Sequence, residues 1–164
     1  YTSRAGLESY RRYASEVEAA ARTVNQKFGT PTWTPVVLET ANNFDLGIAL
    51  MARADVLVVN PVRDGMNLVA KECAAVNDRD AVVILSRETG AAEELGDAVL
   101  IDPYDTAQLS DAIAAALAMP RADRSRRLQA LRAGAGALPP HRWLAAVLAD
   151  LSALAPTDTV GTPA

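Results

Sequence analysis

Two stretches constrain the fold of this chain more than any other feature: Asp55-Val-Leu-Val-Val59 and Ala81-Val-Val-Ile-Leu-Ser86 carry apolar runs with no polar residue interleaved. A strand with one wet face alternates apolar and polar side chains, so an unalternated run reads as a strand covered on both faces, the habit of parallel sheets. The first run should therefore be a central strand. Each run is followed by a helical pattern. Leu68, Val69, Glu72, Cys73 and Val76 predict a helix over 66–76, and a shorter helix is expected around 91–95. A strand at 98–101 and an Ala-rich helix over 106–117 continue the alternation. Strand, helix, strand, helix in steps of about twenty residues is the pattern of a doubly wound parallel sheet, an α/β fold of Rossmann-like type with right-handed crossovers.

The flanks are simpler. Leu7, Tyr10, Tyr13, Val17, Ala20, Val24 and Phe28 fall three or four apart and predict an amphipathic helix over 7–28, ended by Gly29 in a positive-φ conformation and by Pro31. The β-branched run at 35–39 reads as a strand and 44–53 as a helix. After Pro120 a helix carries Arg121, Arg124, Arg126, Arg127 and Arg132 as a solvated basic face until Gly134 and Gly136 interrupt it. Pro139-Pro140 restarts the chain into a helix with one apolar stripe, Trp143, Leu144, Val147, Leu148, Leu151 and Leu154. Residues 1–155 are expected to form one nucleotide-binding domain with its carboxyl-terminal helices, and 156–164 a disordered tail.

Composition closes off several functions. With 164 residues one core is expected. Sixteen Lys and Arg against twenty Asp and Glu leave a net charge of −4, the wrong sign for gripping a nucleic-acid backbone. No apolar stretch approaches the roughly 18 residues of a membrane span, and the first residues lack the apolar segment of a secretory leader. A single cysteine, Cys73, and a single histidine, His141, forbid disulfide frameworks and Cys- or His-rich metal sites, so no metal is expected and a reducing, cytoplasmic setting fits.

Ligands of open parallel sheets bind beyond the carboxyl ends of the strands, at helix N-termini. The turn Asn60-Pro-Val-Arg-Asp-Gly-Met-Asn67 is crowded with polar and conformationally special residues directly behind a buried strand. Gly65 removes the Cβ that would hold a ligand off the backbone, and the N–H groups of Asn67, Leu68 and Val69 lie at the positive end of a helix, where an anion such as a diphosphate belongs. Glu72 shares a face with Leu68 and Val69, roughly 9 Å along the axis from Met66, where a carboxylate can accept from both hydroxyls of a ribose. The same residues have a plain structural account: Asp64 as N-cap, Gly65 as turn residue, Glu72 as a solvated charge. The turn Ser86-Arg-Glu-Thr-Gly90 enters its helix through a glycine in a weaker version of the pattern. Cys73 has core spacing, His141 reads as a surface or capping residue, and Trp33 and Trp143 read as packing residues.

The run Arg63-Asp-Gly-Met-Asn-Leu-Val-Ala-Lys-Glu72 resembles the signature of the trehalose-6-phosphate synthase family, retaining glycosyltransferases built from two Rossmann domains in the GT-B arrangement. Thr2-Ser-Arg4, Tyr10, Asn25, Phe28-Gly29 and Trp33-Thr-Pro35 resemble the family's approach to that signature. Gly90-Ala-Ala92, Glu94-Leu95, Asp102-Pro-Tyr-Asp105 and Arg142-Trp143 resemble its later segments. The resemblance implies the carboxyl-terminal, donor-binding half of a family member, with the amino-terminal domain outside this chain. It assigns Asp64 to hydroxyls of the transferred ring, as the catalytic candidate. It places the diphosphate on the backbone of Gly65, Met66, Asn67, Leu68 and Val69, the ribose on Glu72, the nucleobase beside the backbone of Asn42 and Asn43, and the acceptor's phosphate on Arg4. The implied donor is a GDP, UDP or ADP derivative, the acceptor is phosphorylated, no further cofactor is called for, and a homo-oligomer is compatible. The family's upstream Arg-Lys diphosphate clamp has no counterpart here.

Departures from the pattern at Asn60, Val62, Cys73 and Thr89, with the poorly matched region of Asn42-Asn43, favour, within the resemblance, the pseudo-glycosyltransferase branch of validamycin type. Enzymes of that branch couple a nucleotide-activated cyclitol to an aminocyclitol phosphate through a C–N bond with retention. The alternative is a trehalose-6-phosphate synthase proper, moving glucose from a nucleotide-glucose to glucose 6-phosphate. A third reading is a nucleotide-binding module without turnover.

Overall fold

The computed structural model describes residues 7–137 and 139–154 of the 164. It divides into two compact units, one running to Asp45 and one from Leu46 onward.

The second unit is built on a three-stranded parallel sheet in the order β1 (Val56–Val59), β2 (Val82–Ser86), β3 (Val99–Ile101). Val56 stands beside Val82 and Val59 beside Leu85, and Ile84 beside Val99. The two unalternated runs are thus adjacent parallel strands, as their composition demands. Every residue of β2 is buried, and successive side chains go to opposite faces. Val83 and Leu85 join Val59, Leu95 and the buried face of α3 (Leu68–Val76), namely Ala70, Cys73 and Ala74, together with Leu128 and Leu131 of α6 (Arg121–Ala137). Val82 and Ile84 join Ile101 and Ala116, with Leu109 and Ile113 of α5 (Thr106–Ala118) packed against them. Helices therefore cover both faces of the sheet.

One expectation fails at β1. No described strand pairs with its outer edge and Val58 is 40% exposed, so β2 is the central strand and β1 an edge. The basic run of α6 is a second correction. Arg124 donates to the Arg79 carbonyl, Arg127 to that of Asp97, and Arg132 to those of Ala74 and Asn77 at the end of α3. These guanidinium groups tie the helix to the unit, and Arg132 places a cation where the α3 dipole is negative. Nor do the glycines interrupt the helix. A Cβ on Gly134 would lie 2.7 Å from the Glu94 carbonyl, so this glycine permits close approach to α4 (Ala91–Glu94).

The same C-terminal end of α3 is locked by its cap, Asn77. Its amide donates to the carbonyls of Met51 and Ala54, at the end of α2 (Phe44–Arg53), and its Oδ1 accepts from Arg79 and Ala81. All four of its bonding positions are filled, which is what allows a polar side chain this deep. Beyond α6, α7 (Pro140–Leu154) carries the predicted apolar stripe, with no residue buried. The tail expected to be disordered lies outside the described residues. No helix among the described residues is long and apolar enough to cross a membrane.

The first unit contains α1 (Glu8–Phe28) at the predicted place. Gly29 follows it with φ −69°, not in the left-handed region; it is required because a Cβ would stand 2.4 Å from the Asn25 carbonyl. The strand expected at 35–39 is absent, since no partner strand meets it among the described residues. The Asn25 side chain takes that place, accepting from the Val36 N–H and donating to the Val36 carbonyl, each at 2.8 Å.

Candidate functional site

The turn between β1 and α3 is fixed by its neighbour. Beyond the last paired residues of β1 and β2 the two chains continue side by side. The Asp64 N–H donates to the Glu88 carbonyl and the Gly90 N–H to the Asp64 carbonyl, both at 3.1 Å. Asp64 and Thr89 form an isolated parallel bridge. This approach needs a glycine in the second turn, because a Cβ on Gly90 would meet the Gly65 carbonyl oxygen at 2.0 Å.

The helix begins two residues later than the spacing predicts, at Leu68. Asp64 is not its N-cap. That role belongs to Asn67, which holds a left-handed backbone with φ 57° and accepts from the Ala70 N–H through Oδ1 at 3.1 Å. Its Nδ2 donates to Asp64 Oδ2 at 3.0 Å, so the loop carboxylate is tethered to the helix cap. The helix therefore presents the N–H groups of Leu68 and Val69, with no acceptor among the described residues, while Met66 and Asn67 belong to the approach.

Gly65 is informative in a different way from Gly90. Its φ is not positive, and a Cβ built on it meets nothing within 4 Å. Neither backbone conformation nor packing calls for a glycine there; it leaves open space above the main chain. That space belongs to a cavity of about 500 Å³ whose walls include Met66, Leu68, Lys71, Glu94 and Trp143. Lys71 and Glu94 form an ion pair of 2.7 Å across it, from α3 to α4. Glu72 lies on the α3 face away from Ala70, Cys73 and Ala74, in the same unit as the turn.

Asp64, Gly65, Met66, Asn67, Leu68, Val69 and Glu72 are thus brought together on one turn and the helix it opens. Asn42 and Asn43 belong to the first unit, exposed and immediately ahead of α2. Arg4 lies outside the described residues. Cys73 is buried in the core beneath α3, and burial pushes its thiol up to about 11, as befits a packing residue. No group of three or more metal-ligating side chains occurs among the described residues. The tether of Asn67 and the role of Gly90 were not read from the sequence. Asn is as good an N-cap as Asp, and the signal available was its place three residues ahead of Ala70.

Residues 1–153 match the family described as Glycosyltransferase family 20. The chain is 38% identical over 159 residues to a trehalose-6-phosphate synthase of Klebsiella pneumoniae, covering 94% of this chain and 33% of the relative. It is 38% identical over 140 residues to a glucosylglycerol-phosphate synthase of Synechocystis, covering 84% of this chain and 28% of the relative. Among solved structures it superposes on the alpha,alpha-trehalose 6-phosphate synthase of Burkholderia multivorans with TM-score 0.84 and 36% identity, over 99% of this chain and 36% of that one. The UDP-forming synthase of Burkholderia xenovorans in complex with glucose-6-phosphate gives TM-score 0.84 and 33% identity, over 92% of this chain and 34% of that one. The chain spans about a third of the length of the curated relatives it matches. The doubly wound sheet, the tethered Asp64 turn and these matches agree, and the chain belongs to glycosyltransferase family 20.

Proposed function

We propose that this chain is the donor-binding part of a glycosyltransferase of the trehalose-6-phosphate synthase type, completed by an amino-terminal domain of the kind its longer relatives have room for. The observation that carries the reading is the open ridge at the head of α3. The N–H groups of Leu68 and Val69 have no acceptor among the described residues, Gly65 leaves space beside its own main chain, and the Asp64 carboxylate is held by the helix cap. Helix N-terminal N–H groups favour a diphosphate, and a fixed carboxylate favours sugar hydroxyls. In this reading Glu72 takes the ribose, Asn42 and Asn43 the nucleobase, and Arg4 the phosphate of the acceptor. The donor is a uridine diphosphate sugar, in keeping with solved relatives named as UDP-forming. An acceptor hydroxyl attacks on the face the diphosphate leaves; its oxygen bonds to the ring carbon, the carbon–oxygen bond to the diphosphate breaks, and a phosphate oxygen takes the proton. The protein's share is alignment and stabilisation of leaving-group charge.

Of the departures that favour the cyclitol-coupling reading, those at Cys73, Thr89 and Asn60 have structural explanations. Cys73 fills the core. Thr89 is buried and donates to the Ser86 carbonyl at 3.0 Å, and Asn60 donates to the Pro103 carbonyl at 3.2 Å. The relatives named above are trehalose-6-phosphate and glucosylglycerol-phosphate synthases, which favour transfer of a glucosyl group over formation of a C–N bond. Product analysis by mass spectrometry tests this. The full-length enzyme containing this chain should turn UDP-glucose and glucose 6-phosphate into a disaccharide phosphate. Turnover confined to an activated cyclitol and an aminocyclitol phosphate would reverse the choice.

A further inference from the structure

We propose that Asn67 is a positioning residue for Asp64, fixing the carboxylate that meets the transferred ring; the inference rests on the reading of Asp64 given above. One amide serves two partners. Its oxygen is pinned by the Ala70 N–H, and its nitrogen donates to Asp64 Oδ2. The network decides which amide atom is which, because the cap requires an acceptor and the carboxylate requires a donor. An amide is planar, so pinning the oxygen fixes the direction in which the N–H points. The main chain of Asp64 is already held on both sides by Glu88 and Gly90. What remained free was the side-chain torsion, and the Asn67 N–H removes that freedom. It does so on one oxygen only: Asp64 Oδ1 has no partner among the described residues and stays available to a hydroxyl.

A cap alone would not need this residue. Asp accepts equally well at an N-cap but has no donor; the donor half of the amide is what Asn adds over it. Asn also tolerates the left-handed backbone found here, as Asp and Gly do. This separates the two roles experimentally. Asn67→Asp keeps the cap and the backbone but turns the donor into a second carboxylate facing Asp64. Asn67→Gly keeps the backbone and loses the amide without adding charge.

The experiment is calorimetric titration of the full-length enzyme and its Asn67→Asp, Asn67→Gly and Asp64→Asn variants with UDP and with UDP-glucose, beside thermal unfolding. The readout is the ratio of the two affinities, which a purely structural cap leaves unmoved and which cancels any charge effect on the diphosphate. We expect both Asn67 variants to lower the UDP-glucose affinity relative to that of UDP by about tenfold, the scale of one charge-assisted contact, with Asp64→Asn doing the same. Repulsion from Asp64 should lower the unfolding midpoint of Asn67→Asp, whereas Asn67→Gly adds no charge and should unfold close to the parent, so the Gly variant carries the test even if Asn67→Asp folds poorly. An unchanged ratio in Asn67→Gly, with the ratio lost in Asp64→Asn, overturns the positioning role and leaves the Asp64 reading intact. An unchanged ratio in Asp64→Asn overturns both.

Discussion

The turn after β1 and the turn after β2 leave neighbouring strands in the same direction, but they dispose of their polar groups in opposite ways. In the second turn the Ser86 hydroxyl accepts from the Glu88 N–H, the Thr89 N–H and hydroxyl both donate to the Ser86 carbonyl, and the Arg87 N–H donates to Ile101. Ser86 and Thr89 are buried. In the first turn the Asn67 amide holds the Asp64 carboxylate, and the helix N–H groups of Leu68 and Val69 have no acceptor among the described residues. Adjacent loops, residues 60–67 and 87–90, thus divide the labour: one is a brace and the other a candidate site. The same end of a sheet does not make every turn on it a binding turn; what matters is which backbone groups remain unspent.

Four changes would break or sharpen that division. Gly90→Ala should have the largest effect, since the new Cβ meets a backbone carbonyl that has no flexible end to move. It should cost about 3 kcal/mol in chemical denaturation and also weaken UDP binding, because brace and site move together. Wild-type stability would show that the two turns are independent. Glu72→Gln should act on the site alone, with UDP affinity falling roughly ten- to a hundredfold, about 1.5–3 kcal/mol, and the denaturation midpoint unchanged. Thr89→Val should act on the brace alone. Loss of one buried hydroxyl bond costs about 1 kcal/mol of stability, and titration with UDP should show no change.

The smallest effect at neutral pH concerns Cys73, which anchors the helix carrying the open turn. A thiol raised from 9.0 to about 11 in the folded state keeps its proton when the unfolded chain would lose it. Its contribution to stability is whole below pH 9 and is lost as pH rises towards 11. Denaturation midpoints between pH 8 and 11 should therefore fall more steeply for the parent than for Cys73→Ala. Parallel curves would mean that the thiol is not shielded.

The brace and the site were not equally legible in the sequence. Parallel β1 and β2 follow from apolar runs without alternation, because such runs have no wet face to offer. The residues of the open turn follow from a run of special residues behind a strand. What escaped was whatever depends on a partner distant in the chain. The need for Gly90 lies in the Gly65 carbonyl, and the arginines of α6 look solvated until the carbonyls of Arg79, Asp97 and Asn77 arrive beside them. The strand reading at 35–39 failed for the same reason, since β-branched residues need a neighbouring strand and met the side chain of Asn25 instead. Gly29 shows that the right residue can be picked for the wrong reason: close approach, not handedness, excludes a side chain there.

The left-handed Asn67 and the crowded Gly90 together limit how this turn can diversify. A position at φ 57° admits few residue types, and a position facing a carbonyl at 2.0 Å admits one. Variation that alters ligand preference without unmaking the turn is channelled to Met66, Leu68 and Val69, whose side chains are exposed while their backbone groups stay where the brace puts them. If the proposed donor reading holds, an engineer seeking a new donor would keep the frame at Asp64, Asn67 and Gly90 and randomise those three positions.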